Sequence, residues 1–453
     1  MIQVLTQYSG FLKVSINLLL LSLFCMSLIT FSNFSPIALL RVVAQQPTSP
    51  TSPTSSPLNI YNSHPNTNTA SANKEHLSML LLNQIKPLIL RNMGNKSKGG
   101  VSMVVGVITP NGTNVSGYGN ISKANTTKVN GNTIFDIASI TKTFTTTLLA
   151  DMVKRGLVNL DDPIEKYVPA GVRVPTYNGY KITLDDLATH TSGLPDFPAG
   201  WIRNRTYTTH QVYDFLSNTP LQSEPGVRYN YSDFGMGLLG YILSIKAGVP
   251  YEELLKERIL DVLGMDSTGI AMNSTAIILS DALKSRLAKG HIDGNEVNLE
   301  FIPEAIRPAG ALYSSANDLL KYLSANMGFI HTKINDILQD THLIRHEEIA
   351  TIADSSSTKS LEAVYVGLGW HVITNLGTEV INHAGGIDGY TSFIAFNPTT
   401  QIGLVILCSC DGRDALLPDN WLNAVSQALL HSSDIFDPVV NPITNTNASG
   451  VAH

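Results

Sequence analysis

Two spacings of apolar residues alternate along the chain. Short runs with period-two character lie near both ends of its central part: Val101 to Thr109 and Asn114 to Gly119 around a Pro110-Asn111-Gly112 turn, then Glu379 to His383, Thr391 to Asn397 and Ile402 to Leu407. Between them the spacing is helical, at Thr183 to Thr189, Thr209 to Ser217, Asp233 to Ala247, Tyr251 to Leu260 and Ala316 to Met327. HLSMLLLNQIKPLIL, just after Glu75, reads as an amphipathic helix preceding the first hairpin. Strands from both ends with helices between predict an α+β fold: one antiparallel sheet built from both chain ends, flanked by helices, with an inserted mainly helical subdomain. A junction of this kind favours a substrate site.

Upstream the pattern changes twice. Val14 to Phe31 carries no charge and follows Lys13, which marks residues 1–46 as a signal peptide or a membrane anchor and the protein as exported, at the cell envelope or outside it. Pro47 to Pro57, PTSPTSPTSSP, opens a Pro/Ser/Thr-rich linker over 47–74 that cannot bury apolar surface. The folded domain is then expected over 75–435, with a flexible tail over 436–453. Asn-x-Ser/Thr sequons at Asn95, Asn111, Asn114, Asn120, Asn125 and Asn204 fit a non-cytosolic surface.

Thirty basic and thirty-six acidic residues give a net charge of -6, with no basic run longer than Lys154-Arg155. That argues against nucleic acid and for a small-molecule or peptide substrate. Among the three cysteines, Cys408 and Cys410 are too close along one strand to bridge comfortably. His342, His346, Glu347 and Glu348 lack metal-ligand spacing and read as a solvated helix face, and no glycine loop cradles a phosphate. Neither a metal nor another cofactor is expected.

The chemistry concentrates in Phe135 to Gly156, FDIASITKTFTTTLLADMVKRG. Ser139 and Lys142 stand three apart at the start of a helical pattern, so hydroxyl and ammonium share one face. Ile140, Phe144, Leu148 and Met152 form the stripe expected to pack inward, and Gly156 reads as the stop. A serine becomes a nucleophile when a base takes its proton and positive charge steadies the alkoxide. A second constellation, EPGVRYNYSDFG, sets Tyr231, Ser232 and Asp233 at the tip of a turn, with Asp233 placed to cap the following helix and Tyr231 able to serve as a base if cations lower its pKa. The third is His383-Ala384-Gly385-Gly386 at a strand end, where glycine admits a substrate backbone and frees an N–H for an oxyanion hole with the N–H of Ser139.

In this order the three pieces resemble the serine β-lactamase and penicillin-binding-protein superfamily, most closely its class C-like branch of β-lactamases, D-Ala-D-Ala carboxypeptidases, D-aminopeptidases and esterases. FDIASITK, GLVNLDDPIEKYVP, ITLDDLATHTSGLP, PGVRYNYSDFGMGLLGYIL, LGMDST, PAGALYSSANDLLKYL and HAGGIDGYTSFIAFNP carry the resemblance. It implies a β-lactamase/transpeptidase-like fold with Ser139 as acylated nucleophile, Lys142 stabilising it or assisting its deprotonation, and Tyr231 as proton shuttle. His383 and Gly385 fall on the third motif, and Gly386 on the donor of the second oxyanion N–H. His190 to Pro195, HTSGLP, is assigned a structural role, and Trp201 with the Asp196 to Thr208 loop is expected to border the pocket.

Two departures bear on substrate. Where many members carry Tyr-x-Asn, this chain has Tyr231-Ser232-Asp233, and a carboxylate there favours the charged form of Lys142 and leaves Tyr231 as the better candidate base. Where β-lactamases and carboxypeptidases usually place a lysine, His383 is mostly neutral at pH 7 and holds a substrate carboxylate less firmly. The sequence therefore reads as a serine hydrolase of amides or esters, carboxypeptidase-, aminopeptidase- or esterase-like. The alternatives are a true β-lactamase and a non-catalytic cell-surface protein of the same fold.

Overall fold

β1 (Met103–Thr109) and β2 (Gly112–Tyr118) form the expected N-terminal hairpin. They join six strands from the other end of the chain: β3 (His346–Ala350), β4 (Glu362–Val366), β5 (His371–Asn375), β6 (Thr378–Ile387), β7 (Tyr390–Asn397) and β8 (Ile402–Cys408). The order is β3-β4-β5-β6-β7-β8-β1-β2 and every pairing is antiparallel, with Val105 of β1 opposite Ile406 of β8 on one side and Ser116 of β2 on the other. Met103, Val105 and Val107 point into one apolar cluster and Val104 and Ile108 into another. Burial on both faces is why MVVGVIT and IGLVILC read as nearly continuous apolar runs.

This computed structural model describes residues 101–202, 205–273, 276–350, 362–375 and 378–411. The apolar segment 14–31, the linker 47–74, the helix expected after Glu75 and the tail 436–453 lie outside the described residues, as do Asn95 and Asn204.

At the centre runs α1 (Thr141–Lys154), buried from Thr141 to Met152 on all its faces. The stripe of Ile140, Phe144, Leu148 and Met152 does pack inward, but the threonine face is buried too. Buried hydroxyls must find acceptors. Thr141 donates to the Ala138 carbonyl (2.6 Å), Thr143 to Ile140 (2.9 Å), Thr145 to Pro308 (2.6 Å) and Thr146 to Leu368 (2.8 Å). The last two tie α1 to neighbouring segments, so the helix carrying Lys142 is fixed from several sides. Gly156, at φ 69°, ends it as expected.

Four further helices position the site. α2 (Leu184–Ala188) starts from a Thr183–Asp186 capping box. α3 (Asp233–Ala247) is capped by Ser232, which accepts from the Gly235 N–H at 2.9 Å, and not by Asp233 as the sequence suggested, because the Asp233 carboxylate is drawn to Lys142. α4 (Arg307–Gly310) rests on α3 at Gly240, where a Cβ would fall 2.3 Å from Pro308. α5 (Ala316–Asn326) packs beneath β1 and β8.

Other expectations need correction. The single helix read over Tyr251 to Leu260 has a π turn at Lys256–Leu260, whose wider spacing suits the five-residue repeat of Leu254/Ile259 and Leu255/Leu260, all buried. His342 and His346 share no helix: His342 lies between Trp370 and Phe396 with its Nε2 2.7 Å from Asn326 Oδ1, and His346 opens β3. Cys408 and Cys410 are paired as a disulfide, because the chain bends after β8 and brings their Cα atoms to 5.3 Å. His383 to Gly386 do not end their strand; β6 continues to Ile387, and the turn falls at Asp388-Gly389.

Candidate active site

A short strand, Ile134–Asp136, leads into one 3-10 turn at Ala138–Ile140 and then into α1. Ala138 takes φ 43°, a left-handed conformation unfavourable for a residue with a Cβ. The Asp136 carboxylate holds it there by accepting the Ala138 N–H at 2.8 Å. The turn lifts one side chain out of the core: from Thr133 to Met152, Ser139 alone is not buried.

Two donors converge on Ser139 Oγ, Lys142 Nζ at 2.9 Å and Tyr231 Oη at 2.8 Å. Lys142 is fully buried, and its ammonium is spent on four neighbours. Besides Ser139 it donates to the Ala309 carbonyl of α4 at 2.7 Å, pairs with Asp233 Oδ1 at 2.6 Å and lies 4.7 Å from the Tyr231 ring centre. Asp233 thus reaches Lys142, as the sequence departure anticipated.

Tyr231 is held by its neighbours. His190, at φ 59° after α2, stacks on it with ring centres 4.5 Å apart, and His190 Nδ1 accepts the Ser232 N–H at 3.1 Å, which leaves the ring proton on Nε2. HTSGLP therefore sets the tyrosine as well as ending a helix. Burial first, and the Asp233 carboxylate second, push the Tyr231 phenol well above its ordinary range. Lowering by cations, the condition for a resting phenolate base, is not what this environment provides.

His383 is buried on β6, with its Nδ1 2.7 Å from the Ala384 carbonyl and its ring 5.1 Å from that of His371. Burial, then His371 and Lys142, hold its pKa well below the usual histidine value, so it is neutral. Burial and Lys142 do the same to His190. Asp136 moves the other way: burial raises it to about 7 against the Ala138 N–H, and the charge of Glu300 adds to the rise.

Gly385 brings β6 against the turn that carries Ser139. A Cβ there would lie 2.3 Å from the Ile137 carbonyl oxygen and 2.3 Å from Ser392 Oγ, which itself donates to that carbonyl at 2.7 Å. Gly385→Ala is expected to destabilise the protein by about 1–3 kcal/mol, the usual cost of overpacking, and to slow reaction at Ser139 by displacing Ile137. Urea unfolding together with labelling of Ser139 by an active-site reagent checks this; unchanged values in both would show that the strand can yield.

The cleft before Ser139 is lined by Phe197, Asp233, Glu300, Ile302, Ile306 and Gly386, among others. Gly386 thus shares the cleft with Ser139. Phe197 brings the Asp196 to Thr208 loop to the pocket, whereas Trp201 stacks on Tyr207 at 4.2 Å and is not among the residues lining the cleft. No group of histidine, cysteine and acidic residues suited to a metal occurs among the described residues.

Sequence reasoning assigned no role to Asp136, although it lies within FDIASITK, nor to the Ala309 carbonyl within PAGALYSS. Glu300 carries no pattern that would mark it.

A turn that exposes one serine at the head of a buried helix, set against a strand of an antiparallel sheet, with a lysine and a tyrosine donating to its hydroxyl, is the arrangement a serine hydrolase of the acyl-enzyme type needs. The Beta-lactamase family model matches residues 90–429, and the chain belongs to that family. It is 29% identical over 321 residues to D-alanyl-D-alanine-carboxypeptidase/endopeptidase AmpH of Escherichia coli, covering 68% of this chain and 79% of that protein. With a beta-lactamase of Lysobacter lactamgenus it shares 25% over 337 residues, 69% of this chain and 84% of that one. The fold matches a beta-lactamase/D-alanine carboxypeptidase from Yersinia pestis, solved with citrate, at a TM-score of 0.64 and 24% identity, over 79% of this chain and 99% of that one.

Proposed function

We propose that the protein cleaves amides or esters through a Ser139 acyl-enzyme. The observation that carries this is the convergence of Lys142 Nζ and Tyr231 Oη on the one side chain that the nucleophile turn exposes. Oγ attacks the substrate carbonyl, and the oxyanion that forms is met by the N–H groups of Ser139 and Gly386. As Oγ bonds to carbon, its proton passes to Tyr231 Oη while the phenol proton passes to the leaving nitrogen or oxygen. The tyrosine then never bears a full charge, in keeping with its raised pKa. Lys142 steadies the developing alkoxide. Water repeats the sequence in the second half-reaction, releasing the acid and restoring Ser139.

The same reading makes 75–435 one hydrolase domain on an exported chain. Residues 14–31 are its signal or its membrane tether, so the enzyme works at the envelope or outside the cell on a small or peptide substrate. Neutral His383 weighs against strong recognition of a substrate carboxylate, and so against efficient penicillin turnover. The relatives named as beta-lactamases keep that activity as the second reading. Intact mass after incubation with a fluorophosphonate and separately with penicillin, followed by peptide mapping, tests both. A fluorophosphonate adduct on Ser139 with slow or no penicillin adduct is expected. No adduct from either, on folded protein, overturns the hydrolase reading.

A further inference from the structure

Lys142 owes its direction to a carbonyl that belongs to another segment. Its ammonium touches three oxygens, Ser139 Oγ at 2.9 Å, the Ala309 carbonyl at 2.7 Å and Asp233 Oδ1 at 2.6 Å. Three contacts fix the orientation of a tetrahedral ammonium, and two leave it free to turn. Without the carbonyl it would turn toward Asp233, because a carboxylate attracts it more strongly than the neutral serine hydroxyl does. The place of Ala309 therefore matters to Ser139, and α4, which carries it, is only four residues long.

Two consecutive residues of the helix that begins at Tyr251 grip the start of α4. Glu252 pairs at 2.8 Å with Arg307, the first residue of α4, and Arg307 is buried. Tyr251 Oη lies 2.7 Å from Thr145 Oγ1, which lies 2.6 Å from the Pro308 carbonyl. A carbonyl only accepts, so the Thr145 proton points to Pro308 and the Tyr251 hydroxyl donates to Thr145. The other acceptor in reach of Thr145, the Thr141 carbonyl, is 3.4 Å away and loses to the nearer one. Burial pushes the Tyr251 phenol above its ordinary range, which keeps this donor protonated. The Pro308 carbonyl and the Ala309 nitrogen share one rigid peptide plane, so a bond that holds the first orients the residue whose own carbonyl meets Lys142.

We infer that Thr145 and Tyr251 are positioning residues for the reaction at Ser139: the hydrogen bonds from Tyr251 through Thr145 to Pro308 hold the Ala309 carbonyl against Lys142 and so keep the ammonium on the serine. Both side chains are buried, and neither is among the residues lining the cleft. The inference rests on the acyl-enzyme reading above and adds to it two residues that act through Lys142.

The test follows labelling of Ser139 by a fluorophosphonate on the full chain and on Thr145→Val, Thr145→Ser and Tyr251→Phe. It separates the rate at saturation from the reagent concentration that gives half of it, with thermal unfolding on the same samples. Thr145→Val keeps the shape and removes the hydroxyl. It is expected to slow saturated labelling by about 10- to 100-fold, the scale of a small misplacement at a reacting group, with little change in half-saturation. Thr145→Ser, which keeps the hydroxyl, is expected to recover most of that rate, and Tyr251→Phe to lose about 3- to 10-fold, the size of one net hydrogen bond.

A loss of stability with an unchanged saturated rate in the folded fraction is the mark of a merely structural role and overturns the inference. So does a serine variant as slow as the valine one, since packing and not the hydroxyl would then be at work. Should Thr145→Val fail to fold, Tyr251→Phe decides, and labelling at the parent rate overturns the inference. Folded parent protein that takes no label sinks the acyl-enzyme reading and the inference with it.

Discussion

Ser139→Ala is expected to lower turnover by about 10⁶-fold, the scale seen when a serine nucleophile is removed from a preorganised site, and to leave the fold essentially intact. The side chain is partly exposed, and the deletion takes away one oxygen at the rim of the cleft. Lys142 keeps Asp233 at 2.6 Å and the Ala309 carbonyl at 2.7 Å, so no buried charge loses its partner. Lys142→Ala should behave differently. It also removes the chemistry, but it opens a hole inside the core and deprives Asp233 of its counter-ion. Breaking a buried pair from one side costs about 3–5 kcal/mol, and the 27% exposure of the Asp233 side chain puts this case toward the low end. Thermal unfolding beside a turnover assay separates the two. Equal losses of stability would mean that Ser139 is as much a structural residue as Lys142; residual turnover in Ser139→Ala above about a thousandth of the parent would place the nucleophile elsewhere.

The contrast shows which parts of the site a sequence can disclose. Ser139 and Lys142 were legible because helical spacing puts i and i+3 on one face, a purely local rule. The sheet was legible for a similar reason: the Pro-Asn-Gly turn marks the β1–β2 hairpin, and the apolar runs of β1 and β8 mark strands buried on both faces. What escaped depends on distant segments. The Ala309 carbonyl is an ordinary backbone atom until α3, smoothed at Gly240, lets α4 slide close to Lys142. His190 looks like a helix terminator from its neighbours, and only the fold lays its ring on Tyr231. β3 to β5 were overlooked because HEEIA, EAVYV and HVITN mix polar and apolar positions, although Gly367, Gly369 and Gly377 flank β4 and β5. The placement of Gly385 inside β6 has the same origin. Glycine ordinarily weakens a strand, and here it is required because the Ile137 carbonyl occupies the space of its Cβ.

The same dependence on distant groups governs the tyrosine. Tyr231→Phe is expected to lower the acylation rate by about 10²- to 10⁴-fold, the usual share of a positioned proton-transfer group. The loss should fall on kcat more than on KM, since the phenyl ring can keep its stack on His190 and its place beneath Lys142. The pH profile carries the sharper content. A phenolate base would give an acidic limb, with activity falling as Tyr231 takes up a proton near neutrality, and Phe would abolish it. Burial and the Asp233 carboxylate instead keep the proton on Tyr231 well past its ordinary value, so the parent enzyme should show no titration of this residue between about pH 6 and 9. The variant should lie below the parent by a constant factor across that range. A gap that widens or closes by tenfold per pH unit would mean that Tyr231 works as a preformed phenolate. Asp233→Asn would then be the variant to follow, because removing that carboxylate withdraws the larger of the two charges, Asp233 and Asp196, that help burial hold the phenol proton in place.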